Sequence, residues 1–143
     1  MSALHELFAN EDLVNNQGQP VPLSTLDNVE RIGLYFSASW CPPCRMFTPA
    51  LIDAYNEMKK KGKSFEVVLV SADRNEADAA EYLKKMPWLS VRFRGPAQRS
   101  ISDRFTIQGI PTLVIIDKEG MEISDSGRDD IQLKGANAYD QWA

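Results

Sequence analysis

A near-continuous apolar run, RIGLYFSA at residues 31–38, leads into SWCPPCR and then at once into an amphipathic pattern. This junction constrains the chain more than any other feature. An apolar run without polar alternation marks a strand covered on both faces, and so a strand in the middle of a sheet. From Cys41 the period changes, and Met46, Phe47, Ala50, Leu51, Ala54, Tyr55 and Met58 fall on one helical stripe that ends at Gly62 behind a run of lysines. A central strand that turns into a helix puts the turn at the C-terminal edge of the sheet, where layered α/β folds carry their function.

The rest of the chain supplies the layers. The segment LVNNQGQPVPLSTL, with Gly18 at its turn, reads as an N-terminal β-hairpin. FEVVLVSAD is a second buried strand, and NEADAAEYLKKM is a helix with acids early and lysines late, closed by Pro87. A short helix follows around AQRSISDRF, and PTLVIID and MEISDS pair as a hairpin across KEG. The tail from Gly127 is polar until Trp142. The expectation is one α/β domain over residues 1–143, a central mixed β-sheet flanked by helices, with a right-handed parallel first crossover and antiparallel last strands.

Cys41 and Cys44 are the chain's only cysteines. Placed at the helix start, Cys41 meets unpaired N–H groups and a partial positive charge that favour thiolate, while Cys44 lies one turn inside. Pro42 and Pro43 suit the first helical positions, where the missing N–H costs little, and they stiffen the ring between the sulfurs. The pair is therefore read as a working dithiol. A zinc site, the first competing reading, needs about four ligands, and beyond this pair the chain offers only one histidine, His5, read as a surface or packing residue. An inert bridge, the second, would close too short a loop to restrict the unfolded chain much.

Ile110–Pro111 opens the third strand, where proline is awkward because it cannot donate to a ladder. Two readings stand: an ordinary strand-initiating proline, or a cis peptide whose bend frees the backbone of Ile110 to pair with an extended substrate. Charge excludes other functions. At a net −4, with its longest basic run at the end of a helix, the chain has no nucleic-acid surface. It has no apolar stretch near the ~20 residues of a membrane span. The opening MSALHELFANEDL has no signal-peptide pattern, and two cysteines suit a reducing compartment, so the expected location is cytoplasmic or nuclear.

Taken together, YFSASWCPPCR, FEVVLVSADR, MPWL and IQGIPTLVIID resemble, in this order, the tryparedoxin–nucleoredoxin group of thioredoxin-fold proteins. The resemblance implies a thioredoxin-like fold and thiol–disulfide exchange, with Cys41 the nucleophile, Cys44 the resolver, Pro111 the cis-proline facing them and Trp40 a partly exposed platform. Ordinary thioredoxins carry a buried Asp where this chain has Tyr35, which is read as packing and hydrogen-bonding rather than shuttling protons. SADR, with Arg74 where tryparedoxins carry an acid, is closer to nucleoredoxin domains. Arg128 lies where both sub-groups place an arginine near the site, and as a plain loop charge it would need no role. Asp73 is read as fixing a turn, Trp88 as a core plug, Met46 and Met58 as core, and Arg45 as a surface ion-pair partner.

The functional expectation is a monomeric dithiol–disulfide oxidoreductase acting on disulfide-containing proteins or small disulfides, with a peroxiredoxin-type protein as one acceptor. It needs no cofactor beyond its own redox-active Cys41–Cys44 pair, because no nucleotide fingerprint is present, and electrons come from an external dithiol, glutathione-type thiol or reductase. The second expectation is a redox-dependent protein-binding module, as the likeness to nucleoredoxin implies.

Overall fold

The computed structural model describes residues 2–143. In chain order its elements are α1 (Ala3–Leu7), β1 (Leu13–Val14), β2 (Pro20–Val21), β3 (Arg31–Ser37), α2 (Pro42–Lys60), β4 (Phe65–Ser71), α3 (Glu76–Lys84), β5 (Leu89–Ser90), α4 (Pro96–Arg104), β6 (Thr112–Ile116), β7 (Glu122–Ser124), α5 (Gly127–Lys134) and α6 (Ala138–Trp142). The strands form one mixed sheet in the order β2-β1-β5-β4-β3-β6-β7. As the apolar run requires, β3 is central: it pairs parallel with β4 and antiparallel with β6. The N-terminal hairpin is present and joins the sheet through β1 and β5.

Alternation along the strands sorts the core into two layers. Tyr35 on β3, Val67 and Leu69 on β4, and Leu113 and Ile115 on β6 face α2, α3 and the C-terminal helices. Ile32, Leu34 and Phe36, with Val68, Val70, Val114 and Ile116, face α1 and α4. Trp88 is buried among Tyr35 and Tyr55, edge-on to both rings, and serves as a plug between sheet and helices. Among the described residues no helix is long and apolar enough to cross a membrane.

The sheet register positions the site. Ser37, the last residue of β3, is opposite Ser71, the last of β4, and Phe36 is opposite Thr112, the first of β6. The turn after β3, the turn after β4 and the approach to β6 therefore meet at one edge.

Two expectations are corrected. Met46 and Ala50 are exposed, because the buried face of α2 is Cys44, Phe47, Thr48, Leu51, Ala54, Tyr55 and Met58. Met46 lies roughly 100° around the helix from Phe47, outside that face. Arg45 forms no ion pair among the described residues, since it projects from the exposed side of the first turn with no carboxylate in reach. The polar tail is helical: α5 anchors itself by Ile131 and by Asp130, whose carboxylate accepts from Trp142 Nε1 at 2.9 Å and Ser124 Oγ at 3.0 Å. At Gly127 a Cβ would fall 2.6 Å from the Leu113 carbonyl oxygen, so only glycine lets α5 press this closely on β6.

Candidate active site

Cys41 is the N-cap of α2, and its sulfur accepts a hydrogen bond from the Cys44 N–H at 3.4 Å. Pro42 and Pro43 occupy the first two helical positions, which leaves Cys44 N–H as the first helical donor available to that sulfur. Cys41 is 4% exposed and Cys44 is wholly buried, so access follows the expected order, with Cys41 deeper than a surface nucleophile. Both are free thiols.

Around the sulfurs stand the elements that the register brings to this edge. The Ile110–Pro111 peptide is cis, and the Ile110 carbonyl lies 3.9 Å from Cys41 Sγ. Ile110 packs against Ala38, Cys41 and Cys44, and among the described residues its N–H has no partner. Trp40 is 47% exposed; its indole N–H donates to the Ala72 carbonyl at 3.1 Å, and the Arg74 guanidinium sits 5.3 Å above its ring. Arg128, the second residue of α5, is carried to the start of β6 by the close approach of Gly127, half-buried and with its Nε unpartnered among the described residues.

Asp73 does more than fix a turn. Its buried carboxylate accepts from the backbone N–H of Ser39 at 2.9 Å, from the Ser39 hydroxyl and from the Ser71 hydroxyl at 2.6 Å. It thus ties the loop carrying Trp40 and Cys41 to the end of β4.

Beneath Cys44 lies a hydroxyl cluster that the amino-acid pattern does not reveal. Thr48 Oγ1 donates to the Cys44 carbonyl at 2.8 Å and shares hydrogen bonds with Tyr35 OH at 2.6 Å and Tyr82 OH at 3.0 Å; Tyr82 OH in turn meets Ser37 Oγ at 2.7 Å. Tyr35 packs and hydrogen-bonds here as expected. One signal for Ser37 was available, because period-two alternation puts it on the same face of β3 as Tyr35. Tyr82 offered none, since its placement depends on how α3 docks.

Burial, then the hydrogen bond with Cys41, pushes the Cys44 thiol up from 9.0 to about 11, against partial relief from the Ser37 hydroxyl and the Ala38 backbone. Burial likewise holds the phenols of Tyr35, Tyr55 and Tyr82 above their ordinary 10.0, with the Glu66 carboxylate adding to the effect at Tyr55. For all four groups the folded protein holds the proton more tightly than the unfolded chain does. Their contribution is thus complete below about pH 9 and is lost as pH rises through the folded values. The denaturation midpoint of the reduced protein is expected to be lower at pH 10.5 than at pH 8, read by urea titration; an unchanged midpoint contradicts the burial of these groups.

Among the described residues no cluster of three His, Cys, Asp or Glu side chains could hold a metal ion. His5 instead meets Asp27 Oδ1 at 2.6 Å near the N-terminus.

Comparison with known proteins adds to this geometry. The family model described as Thioredoxin-like matches residues 28–122. Nucleoredoxin of Mus musculus is 44% identical over 117 residues, 81% of this chain and 27% of the relative. The chain thus spans about a quarter of the length of the curated nucleoredoxins it matches. The solved tryparedoxin from Trypanosoma brucei superposes with a TM-score of 0.87 at 36% identity, covering 99% of both chains. Tryparedoxin II complexed with glutathionylspermidine superposes at 0.86 with 32% identity, covering 95% of each.

Proposed function

Because the chain belongs to the thioredoxin-like family, in the group that holds the tryparedoxins and nucleoredoxins, we propose that it is a dithiol–disulfide oxidoreductase working through Cys41 and Cys44. The family relationship supports a thiol–disulfide redox function. The observation that carries the finer reading is the pair itself: a sulfur capping a helix start, a second cysteine behind it whose backbone N–H donates to that sulfur, and beside both the Ile110 N–H, unpartnered among the described residues.

Cys41 thiolate attacks one sulfur of a substrate disulfide, the substrate S–S bond breaks, and its far sulfur leaves as thiolate and takes up a proton. Cys44 then attacks Cys41 Sγ, the Ser37 hydroxyl favouring the thiolate that forms as its proton is lost, and the second substrate sulfur is expelled as thiolate and takes up that proton. The substrate gains two electrons, and the chain is left with a Cys41–Cys44 disulfide. An external dithiol, a glutathione-type thiol or a separate reductase returns those two electrons, so no bound cofactor is required. Tyr35 stays protonated throughout, because burial opposes its ionisation. An extended substrate pairs with Ile110 next to the cis-proline Pro111, Trp40 forms the platform over which its disulfide approaches, and Arg128 borders the far side.

Disulfide-containing proteins, with a peroxiredoxin-type acceptor among them, are the proposed substrates. A solved relative in complex with glutathionylspermidine supports glutathione-type thiols as donors. A monomer in the cytoplasm or nucleus suits a pair that must be kept reduced.

A second reading, a redox-dependent binding module, is favoured by the likeness to nucleoredoxins. Insulin-disulfide reduction driven by a small dithiol, run beside partner capture by the reduced chain, separates the two. Turnover supports the oxidoreductase; capture that oxidation releases, with no turnover, supports the module.

A further inference from the structure

Cations are distributed unevenly over this molecule. Every ion pair among the described residues uses a lysine or His5 as its cation, and none uses an arginine. Three of these arginines, Arg74, Arg94 and Arg99, lie on the turn after β4 and around the start of α4. Arg74 lies over Trp40, next to Cys41 in sequence. Arg94 reaches the same place from the loop before α4, where its Nη2 donates to the Arg74 carbonyl at 3.1 Å. Arg94 holds φ at +53°, a left-handed backbone unfavourable for a non-glycine residue, and the Gln98 side chain pins it by accepting from the Arg94 N–H at 2.7 Å. Arg99 follows on α4, exposed, its side chain without a partner among the described residues.

Two adjoining pockets, which share Gln98 and Ser102, run from the Ile110 backbone toward this arc. One is lined by Ala72, Ile107 and Ile110, whose carbonyl faces Cys41, and the other by Arg94 and Arg99. Of the acids near this arc, Glu11 is occupied at the start of α4, accepting from the Ala97 N–H at 3.2 Å, and Asp73 accepts from Ser39 and Ser71; Asp103, four residues along α4 from Arg99, is exposed and in no ion pair among the described residues. A strand of substrate pairing with Ile110 would carry its flanking residues along these pockets onto three guanidinium groups, donors whose forked geometry suits carboxylates.

We propose that the arc of Arg74, Arg94 and Arg99 is a docking surface for an acidic polypeptide segment flanking the substrate's disulfide. The inference rests on the oxidoreductase reading for its use, but the surface is testable without any redox step. The chain as a whole carries −4, so overall charge repels acidic peptides and any preference for them must be local.

The experiment measures fluorescence anisotropy of two labelled decapeptides with serine in place of cysteine, one rich in Glu and Asp and the other in Lys, on the full chain in low salt. The acidic peptide is expected to bind at least about tenfold more tightly, with the difference shrinking as salt rises. Arg94→Glu with Arg99→Glu is expected to reverse the preference. Lys60→Glu with Lys61→Glu makes the same charge change at the far end of α2, about 28 Å from Cys41, and is expected to preserve it. Equal binding of the two peptides overturns the proposal, as does a preference that the arginine variant leaves intact or that both double variants weaken alike. Turnover of the matching disulfide peptides tests the redox reading separately, so either idea can fail without the other.

Discussion

Cys41→Ser is expected to reduce disulfide turnover to background, a loss of roughly a thousandfold or more, because no other group in the site can begin the exchange. Cys44→Ser is expected to fail differently. Its Cys41 still attacks, so one equivalent of substrate thiol is released and a mixed disulfide accumulates, visible as a covalent adduct that a reducing agent removes. Stalling at this point follows from the placement of Cys44, which is wholly buried yet hydrogen-bonded through its backbone N–H to the Cys41 sulfur. A serine there keeps that N–H but cannot resolve the adduct. Substantial turnover by Cys41→Ser, or the same adduct formed on Cys44, contradicts the assignment of roles.

The second large effect is expected at Asp73, which never touches substrate in this account. Asp73→Ala leaves the Ser39 N–H, the Ser39 hydroxyl and the Ser71 hydroxyl without their acceptor. Orphaning buried donors costs on the order of 1–3 kcal/mol for each group that water cannot reach, so a loss of about 3 kcal/mol is expected for the variant by urea denaturation. The same change frees the loop in which Ser39 precedes Trp40 and Cys41, and a loosened nucleophile is expected to react about tenfold more slowly. Asp73→Asn retains an acceptor and is expected to fall between the two. The positioning role has a separate signature, because the rate loss should appear in mixed-disulfide formation by Cys41 even under conditions where the variant is fully folded. A variant within about 0.5 kcal/mol of the parent, the range that ordinary surface substitutions span, contradicts the clamp.

The parts of this fold that were legible in the sequence are those governed by one dominant force. The strands β3, β4 and β6 announced themselves as apolar runs, because burial on both faces leaves no room for polar alternation. Gly18 and the KEG turn marked the two hairpins through local backbone preference, and Cys41 was placed at a helix start by the prolines that follow it. Elements decided by several weak contacts were not legible. The helix α5 buries little apolar surface beyond Ile131 and is held by the buried Asp130 carboxylate, a contact that requires Trp142 to fold back onto it. On α2 the apolar stripe of the sequence is wider than the buried face, taking in Met46 and Ala50 and missing Thr48, which is buried because its hydroxyl has Tyr35 and Tyr82 to bond.

The site divides along the same line. Cys41, Cys44, Trp40 and Ile110–Pro111 are set by short-range sequence and by strand order, and the register of β3 with β4 and β6 brings them together. The hydroxyl cluster and the double grip of Asp73 depend on side chains from separate elements meeting, and one sequence does not announce such meetings. The arginine arc is a third case. Arg74 could be read as a charge near the site, but its association with Arg94 depends on a left-handed backbone that carries no glycine to signal it.

The central claim is that one sulfur is poised to react while its neighbour is held in reserve, and alkylation kinetics of the reduced protein test it most directly. With iodoacetamide at pH 7, followed by mass analysis of each cysteine, Cys41 is predicted to be modified faster than a thiol in an unstructured peptide. Cys44, its thiol pushed up to about 11, is predicted to remain unmodified until the pH approaches that value. Cys41 reacting no faster than the peptide thiol, or both cysteines labelling together at pH 7, would contradict the account.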